Sequence, residues 1–271
     1  MSYEAILYET RGAVAIITLN RPERLNAIGA AVREEVHAAI QEAHEDDTVR
    51  AAIITGAGKG FCSGADLSGA ATRAAGGGAV AATPTHGERL DEDGWVGRWA
   101  KRFAHFDKPL IGAINGVAAG AGMSMALACD VRVGSTNARF KTVFIERNLS
   151  PDSGMTYFLP RIVGYSRAAD LIFSSRAVNA DEAYRIGLLD RLVAPESLLD
   201  EALALANDMA QWPPLAMRMS KRVLQRNQDA ELDDALRYES ICLGFGRKAV
   251  NDGKESIAAF AEKRKGVYTG T

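Results

Sequence analysis

A chain of 271 residues with 47% hydrophobic and 24% charged side chains has ample apolar material for a core, in one large domain or one domain with an appendage. Its formal net charge of −2 argues against non-specific nucleic-acid binding or an anionic-membrane surface. Three cysteines, Cys62, Cys129 and Cys242, stand far apart with no Cys-x-x-Cys, so neither a disulfide framework nor a zinc site is expected.

The first residues, Met-Ser-Tyr-Glu-Ala-Ile-Leu, lack the basic region and apolar run of a signal peptide, and no apolar stretch could span a bilayer. A reducing, cytoplasmic setting is the expectation. Tyr3 to Glu9 and Val14 to Asn20 alternate around Thr10-Arg-Gly12, which predicts an opening hairpin ended by Asn20-Arg-Pro22. Helical spacing of Val32, Val36, Ala39, Ile40 and Ala43 predicts a helix over 29–46. Ala51 to Thr55 is an apolar strand running into Gly56-Ala-Gly-Lys-Gly60. That cluster matches neither Gly-x-Gly-x-x-Gly nor the Gly-Lys-Ser/Thr loop, so no phosphate cradle is expected. Ser68 to Gly87 has linker composition and no amphipathic period, as in a lid or insert. A helix over 88–106 follows.

Residues 109–152 organise the chain. Ile111 to Gly122 reads as a buried strand ending in small residues, where backbone can approach a ligand closely. Met123 to Asp130 reads as a helix whose start offers unpaired N–H groups and a positive dipole end, able to stabilise negative charge. Asp130, at its end, is expected to hydrogen-bond structurally. Asp152, after Pro151, is by local sequence a helix N-cap, and by its company the partner of that charge-stabilising site. Beyond it, helices are expected over 155–162, 167–173 and 181–187, then a last strand at Leu192-Val193. Four further helices, over 198–211, 214–226, 232–245 and 256–265, complete an α/β core (1–195) with a C-terminal helical subdomain (196–271). The apolar faces of that tail hint at self-association.

Two chemical readings fail. Gly122-Met-Ser-Met-Ala126 is one residue from a nucleophile elbow. All four histidines (His37, His44, His86, His105) precede Ser124, however, so the order a hydrolase triad requires is absent. The histidines have no metal-ligand spacing, and His37 and His44 read as a solvated helix face.

The central stretch, with Phe61-Cys-Ser-Gly-Ala-Asp-Leu67, Arg21-Pro-Glu-Arg-Leu-Asn-Ala27 and Phe260-Ala-Glu-Lys-Arg264, resembles the enoyl-CoA hydratase/isomerase (crotonase) superfamily over nearly the whole chain. The motifs look most like those of the phenylacetate-pathway isomerase group. The resemblance implies a crotonase-like spiral of ββα units with a C-terminal helical trimerisation subdomain, assembled as a homotrimer or dimer of trimers. It implies an acyl-CoA thioester as substrate and no separate cofactor. The thioester oxygen would lie between the backbone N–H groups of Ala65 and Ala121. Arg24, Ala65, Asp66 and Lys263 are the implied CoA contacts, with Lys263 reaching across a subunit boundary.

Hydratases of the family use two glutamates. Ser124 and Phe144 stand at those positions here, and neither can transfer a proton. Several isomerases and dehalogenases of the family place a working aspartate where Asp152 stands. Dehalogenases also use a histidine, whose place Lys101 takes. The expectation is therefore an isomerase in which Asp152 alone moves the proton, its pKa raised by an apolar wall of Phe144 and Phe140 with Ser124 lining the pocket. The alternatives are a 2-enoyl-CoA hydratase using Asp152 alone and a non-catalytic RNA-binding relative.

Overall fold

The computed structural model describes residues 3–68 and 85–271; nearly all of the 68–87 insert therefore lies outside the described residues. The predicted hairpin is β1 (Ile6–Arg11) paired antiparallel with β2 (Val14–Leu19). Helix α1 (Ala30–Glu45) buries the five-residue stripe read from the sequence. The chain then repeats a unit of two strands and a helix. The first comprises β3 (Ala51–Gly56), β4 (Gly60–Cys62) and α2 (Gly94–Ala104). The second comprises β5 (Leu110–Ile114), β6 (Val117–Ala119) and α3 (Ala121–Leu127). The third comprises β7 (Val131–Ser135), β8 (Arg139–Lys141), α4 (Met155–Val163) and α5 (Tyr165–Ser174).

In each unit the first strand joins one sheet and the second joins another. The larger sheet has the order β1-β2-β3-β5-β7-β10, closed by β10 (Arg191–Val193); the smaller has β4-β6-β8-β9, closed by β9 (Val178–Asn179). Pairing is parallel except for β1 with β2 and β8 with β9. This is the ββα spiral that the resemblance implies. Helix α6 (Ala180–Ile186) links β9 to β10, with Asn179 Oδ1 accepting from Glu182 N–H as its cap.

The strands of the larger sheet are apolar at successive positions because both faces are covered. Alternate residues divide between two cores. Val14, Ile16, Ala51, Ile53, Ile111, Ala113 and Val133 pack against α7 (Leu198–Ala210) through Leu198, Ala202, Leu205, Ala206 and Ala210. Ala15, Ile17, Ala52, Ile54, Leu110 and Ile114 face the main core with α1, α2, α3 and α4. The remaining helices are α8 (Pro214–Arg226), α9 (Leu232–Gly246) and α10 (Val250–Glu262).

Four expectations need correction. The helix read over 88–106 is a single turn at His86–Arg89 and the separate α2, because Gly94 adopts φ +57° and breaks the helical path. The strand read over 111–122 is two strands in different sheets. Between them a Cβ at Gly116 would lie 2.0 Å from the Lys59 carbonyl oxygen, so only glycine lets the chain cross there. Helix α3 starts at Ala121, two residues early, which puts Ala121 itself at the helix start. Helix α10 starts at Val250 rather than Ser256. Its polar first turn hides it, and buried Asp252 accepts from the Thr269 and Gly270 N–H groups at 2.7 and 2.9 Å, folding the C-terminal segment back.

Candidate functional site

The Arg21–Ala27 motif is a clamp. Asn26 is fully buried at φ +57°. Its Oδ1 accepts from the Arg21 N–H (2.9 Å), and its Nδ2 donates to the carbonyls of Ala57 (3.0 Å) and Gly60 (2.7 Å). The clamp holds the segment after β2 against the β3–β4 turn. From there, the Ile28 N–H donates to the Gly64 carbonyl (2.8 Å) and the Asp66 N–H to the Ile28 carbonyl (3.1 Å), making Ile28 and Ala65 a parallel bridge. In such a bridge successive N–H groups point to opposite sides. The Ala65 N–H therefore faces away from Ile28 and finds no acceptor among the described residues.

The second donor is brought beside the first by glycine. Gly64 has φ +92°, and a Cβ there would lie 2.7 Å from the Ala119 carbonyl oxygen and 3.5 Å from the Ala121 nitrogen. A Cβ at Gly122 would lie 2.3 Å from the Cys62 carbonyl oxygen, so α3 begins in direct backbone contact with β4. As the first helical residue, Ala121 has no intrahelical acceptor for its N–H, and none is found elsewhere among the described residues. Gly120, at φ +51°, makes the turn and donates to the Lys141 carbonyl at 3.0 Å. Val143, a β-branched residue held at φ +58°, packs at that turn, its Cγ2 3.1 Å from where a Gly120 Cβ would be. That backbone conformation is rare for such a side chain and marks a constrained site.

Asp152 lies in the turn that precedes α4. The N-cap reading is corrected here: Gly154 caps α4, and the Asp152 carboxylate caps nothing. Its Oδ1 is buried with no hydrogen-bond partner among the described residues. Burial pushes the carboxyl above the usual carboxylate range. The Asp152 carbonyl accepts from Met155 N–H (3.0 Å) and from Ser124 Oγ (3.3 Å), so the turn that carries the carboxylate is bonded to the helix that starts with Ala121. Ser124 is fully buried and serves as this tie.

Phe144 and Phe140 are buried in the same apolar cluster as Ala121, Met123 and Met155. Phe140 lies within β8 and Phe144 just after it. Glu146 pairs with Lys141 at 2.6 Å on the surface. The Asp66 carboxylate is held by the Ser68 hydroxyl (2.7 Å) and N–H (3.0 Å) and by Arg21 Nη1 (2.9 Å), which pull its pKa down to about 2. Its side chain thus stiffens the Ala65 loop. Arg24 and Lys263 are exposed, Lys263 at the end of α10 with φ +53°. Lys101 pairs with Asp93 on the surface. His37 is exposed and His44 half-buried on α1, where both line an open groove with Arg98, Lys101 and His105. Asp130 is structural, as expected, accepting from the Leu110 N–H and from Lys221. Among the described residues no cluster of ligating side chains could hold a metal ion, and no helix is long and apolar enough to cross a membrane.

A ββα spiral of this kind has counterparts of known family. The family model described as enoyl-CoA hydratase/isomerase matches residues 9–271. The chain belongs to this family. Among its curated relatives is the short-chain-enoyl-CoA hydratase of Clostridium acetobutylicum, 36% identical over 267 residues, covering 98% of this chain and 97% of that protein. Another is the 1,2-epoxyphenylacetyl-CoA isomerase of Escherichia coli, 33% identical over 271 residues, covering 98% and 99%. The crystal structure of an enoyl-CoA hydratase from Bacillus anthracis superposes with a TM-score of 0.88 at 30% identity, covering 99% of this chain and 100% of that one. As a member of the enoyl-CoA hydratase/isomerase family, the chain is an acyl-CoA enzyme with the crotonase fold. Sequence reasoning alone misses Gly64 and Val143. Only Gly64 carried a signal, as the glycine before the donor in Ser-Gly-Ala.

Proposed function

We propose that this enzyme shifts the double bond of an enoyl-CoA thioester, with Asp152 as its single proton carrier. The Asp152 carboxylate removes a proton from carbon 2 or 4 of the acyl chain. Negative charge then builds on the thioester oxygen, where the Ala65 and Ala121 N–H groups stabilise the dienolate; such a donor is typically worth about 3–4 kcal/mol. The protonated Asp152 returns the proton two carbons away on the same face, so one carboxyl suffices. No cofactor is needed beyond the CoA carried by the substrate. Arg24, with Lys263 from a neighbouring subunit, is positioned by this reading at the CoA phosphates and adenine, and Asp66 supports the loop that meets them. Phe140 and Ser124 are wholly covered in the single chain, so on this reading they back the wall that Phe144 presents to the acyl chain.

The observation that carries the proposal is the Asp152 carboxylate, half-buried, unpaired and raised in pKa, beside positions 124 and 144 that hold no second acid. A general acid–base group near the working pH contributes about 10²–10⁴-fold. Asp152→Asn should therefore lose at least about 10²-fold in conversion of 3-enoyl-CoA to 2-enoyl-CoA; a folded variant as fast as the parent would refute the assignment. The hydratase names among the relatives favour a second reading, in which Asp152 activates water. Incubation with crotonyl-CoA separates the two, since hydration alone removes the conjugated thioester absorbance.

The active assembly on this reading is a homotrimer or dimer of trimers. Helices α8, α9 and α10 expose Leu224, Leu232, Ile257 and Phe260, each more than 70% exposed in the single chain, around a cleft of about 1070 Å³. Light scattering on the purified protein tests this directly.

A further inference from the structure

We propose that Val143 is a positioning residue for the Ala121 donor, a stiff wedge that fixes the turn at Gly120 and with it the direction of the Ala121 N–H. The inference rests on the proposed role of that N–H at the thioester oxygen and adds a residue that sequence reasoning misses.

The Ala121 N–H belongs to the planar peptide that joins Gly120 to Ala121, so the Gly120 backbone sets its direction. Gly120 stands at φ +51° and ψ −126°. Glycine suits this conformation but is also the residue freest to leave it, so the donor needs a hold from its surroundings. Two hydrogen bonds supply part of it. The Gly120 N–H donates to the Lys141 carbonyl at 3.0 Å, and the Gly120 carbonyl accepts from the Ser124 N–H at 2.9 Å. The side on which a side chain would stand meets Val143. A Cβ at Gly120 would lie 3.1 Å from Val143 Cγ2, and the next nearest atom among the described residues is the Thr142 carbonyl oxygen, at 3.8 Å.

Val143 is itself confined from both sides. Phe140 and Lys141 pair with Ala118 and Ala119 of β6, the strand that leads into Gly120. Thr142 is buried, and its hydroxyl donates to the Leu171 carbonyl of α5 at 3.0 Å. Phe144 is buried in the main core. Between these fixed neighbours Val143 is held at φ +58°, which a β-branched residue adopts only where its surroundings over-determine it. Branching at Cβ also leaves little freedom about χ1, so the wedge is rigid. Glycine or asparagine would take a positive φ at lower cost, and Val143 is only half-buried. Neither the turn nor the core calls for valine here. What its side chain adds is the contact with Gly120.

Val143→Ala and Val143→Gly remove that contact, while Val143→Thr keeps the branched shape. With 3-enoyl-CoA, kcat should fall about 10–10²-fold in the alanine and glycine variants with KM little changed, because the donor acts chiefly in the transition state. Threonine should retain most of the parent kcat. Melting temperature should fall no further in Val143→Gly than in Val143→Ala, since glycine relieves the positive φ. The infrared carbonyl band of bound butyryl-CoA, which has no double bond to move, reads the donor without turnover. A hydrogen bond to the thioester oxygen lowers its frequency, so the parent and the threonine variant should shift it below the free thioester in water, and the alanine and glycine variants should lose much of that shift. An unchanged band or an unchanged kcat in the folded alanine and glycine variants overturns the inference; a fall in melting temperature without either change marks a merely structural valine. A parent that gives no downward shift defeats the donor reading and this inference with it, whereas a parental shift that persists in both variants misassigns Val143 alone.

Discussion

Lys221 is the charged anchor between the helical region and the core, and its replacement by methionine tests how the two are joined. Its side chain is 7% exposed, with Nζ 2.6 Å from Asp130 Oδ2 and 3.0 Å from the Lys108 carbonyl. Asp130 Oδ2 also accepts from the Leu110 N–H at 2.7 Å, so one carboxylate oxygen ties α8 to the start of β5. Methionine keeps the length and apolar stem of lysine but leaves Asp130 charged against an apolar neighbour. Breaking a buried pair on one side costs about 3–5 kcal/mol. The Asp130 side chain keeps 29% of its exposure, so water compensates part of the loss and the low end, about 3 kcal/mol, is expected. For a chain of this size that corresponds to a fall of about 6–12 °C in melting temperature. Asp130→Asn retains the acceptor for Leu110 and removes the charge. In the Lys221→Met, Asp130→Asn double variant neither charge is stranded, and the cost should be clearly below the sum of the single costs. Calorimetry at fixed protein concentration reads all four forms. A Lys221→Met variant within about 1 kcal/mol of the parent, or strictly additive costs, would refute the reasoning.

Gly64→Ala should injure activity more than stability. A Cβ at φ +92° and 2.7 Å from the Ala119 oxygen forces the two donor strands apart. We expect about 1–3 kcal/mol of destabilisation together with a loss of about 10²–10³-fold in kcat; unchanged kcat in a folded variant contradicts the donor assignment. Burial pushes the Cys62 and Cys129 thiols up to about 12, so at pH 8 a thiol reagent should modify neither in the folded enzyme and both on unfolding. Peptide mass spectrometry after brief labelling reads this, and rapid modification of Cys62 in the native state contradicts its place behind α3.

The parts of the fold that were legible in the sequence are those whose cause is local. The α1 stripe and the Val14–Asn20 and Ala51–Thr55 runs follow from periodicity, since each residue reports its own burial. The break at Asn115-Gly116 was not legible because its cause lies at Lys59, more than fifty positions away in the chain. The start of α10 was hidden because Asp252 serves residues 269 and 270 rather than its own helix. At the site, Asp152 was visible as a carboxylate beside a proline, but its local sequence argued for a cap. Only the packing of the Pro151–Gly154 turn against α3 separates the two readings. Val143 carries no sequence signal at all, since its positive φ is imposed by neighbours and not by the side chain.

On the proposed reading, serine at 124 and phenylalanine at 144 belong to an arrangement that needs only one acid. A glutamate at position 124 would project a second charge from α3 toward the space Asp152 occupies, and two close carboxylates would hold one of them protonated. Serine there is short enough to be buried, and its hydroxyl instead bonds the Asp152 carbonyl at 3.3 Å. Position 124 thus anchors the turn that carries Asp152. Phenylalanine at 144 adds no second acid, and Asp152 is desolvated by burial. The two substitutions depend on each other. Restoring Glu at 124 alone would both cut the tie and add repulsion, which is why a single-carboxylate site is a self-consistent design and not a damaged two-carboxylate one.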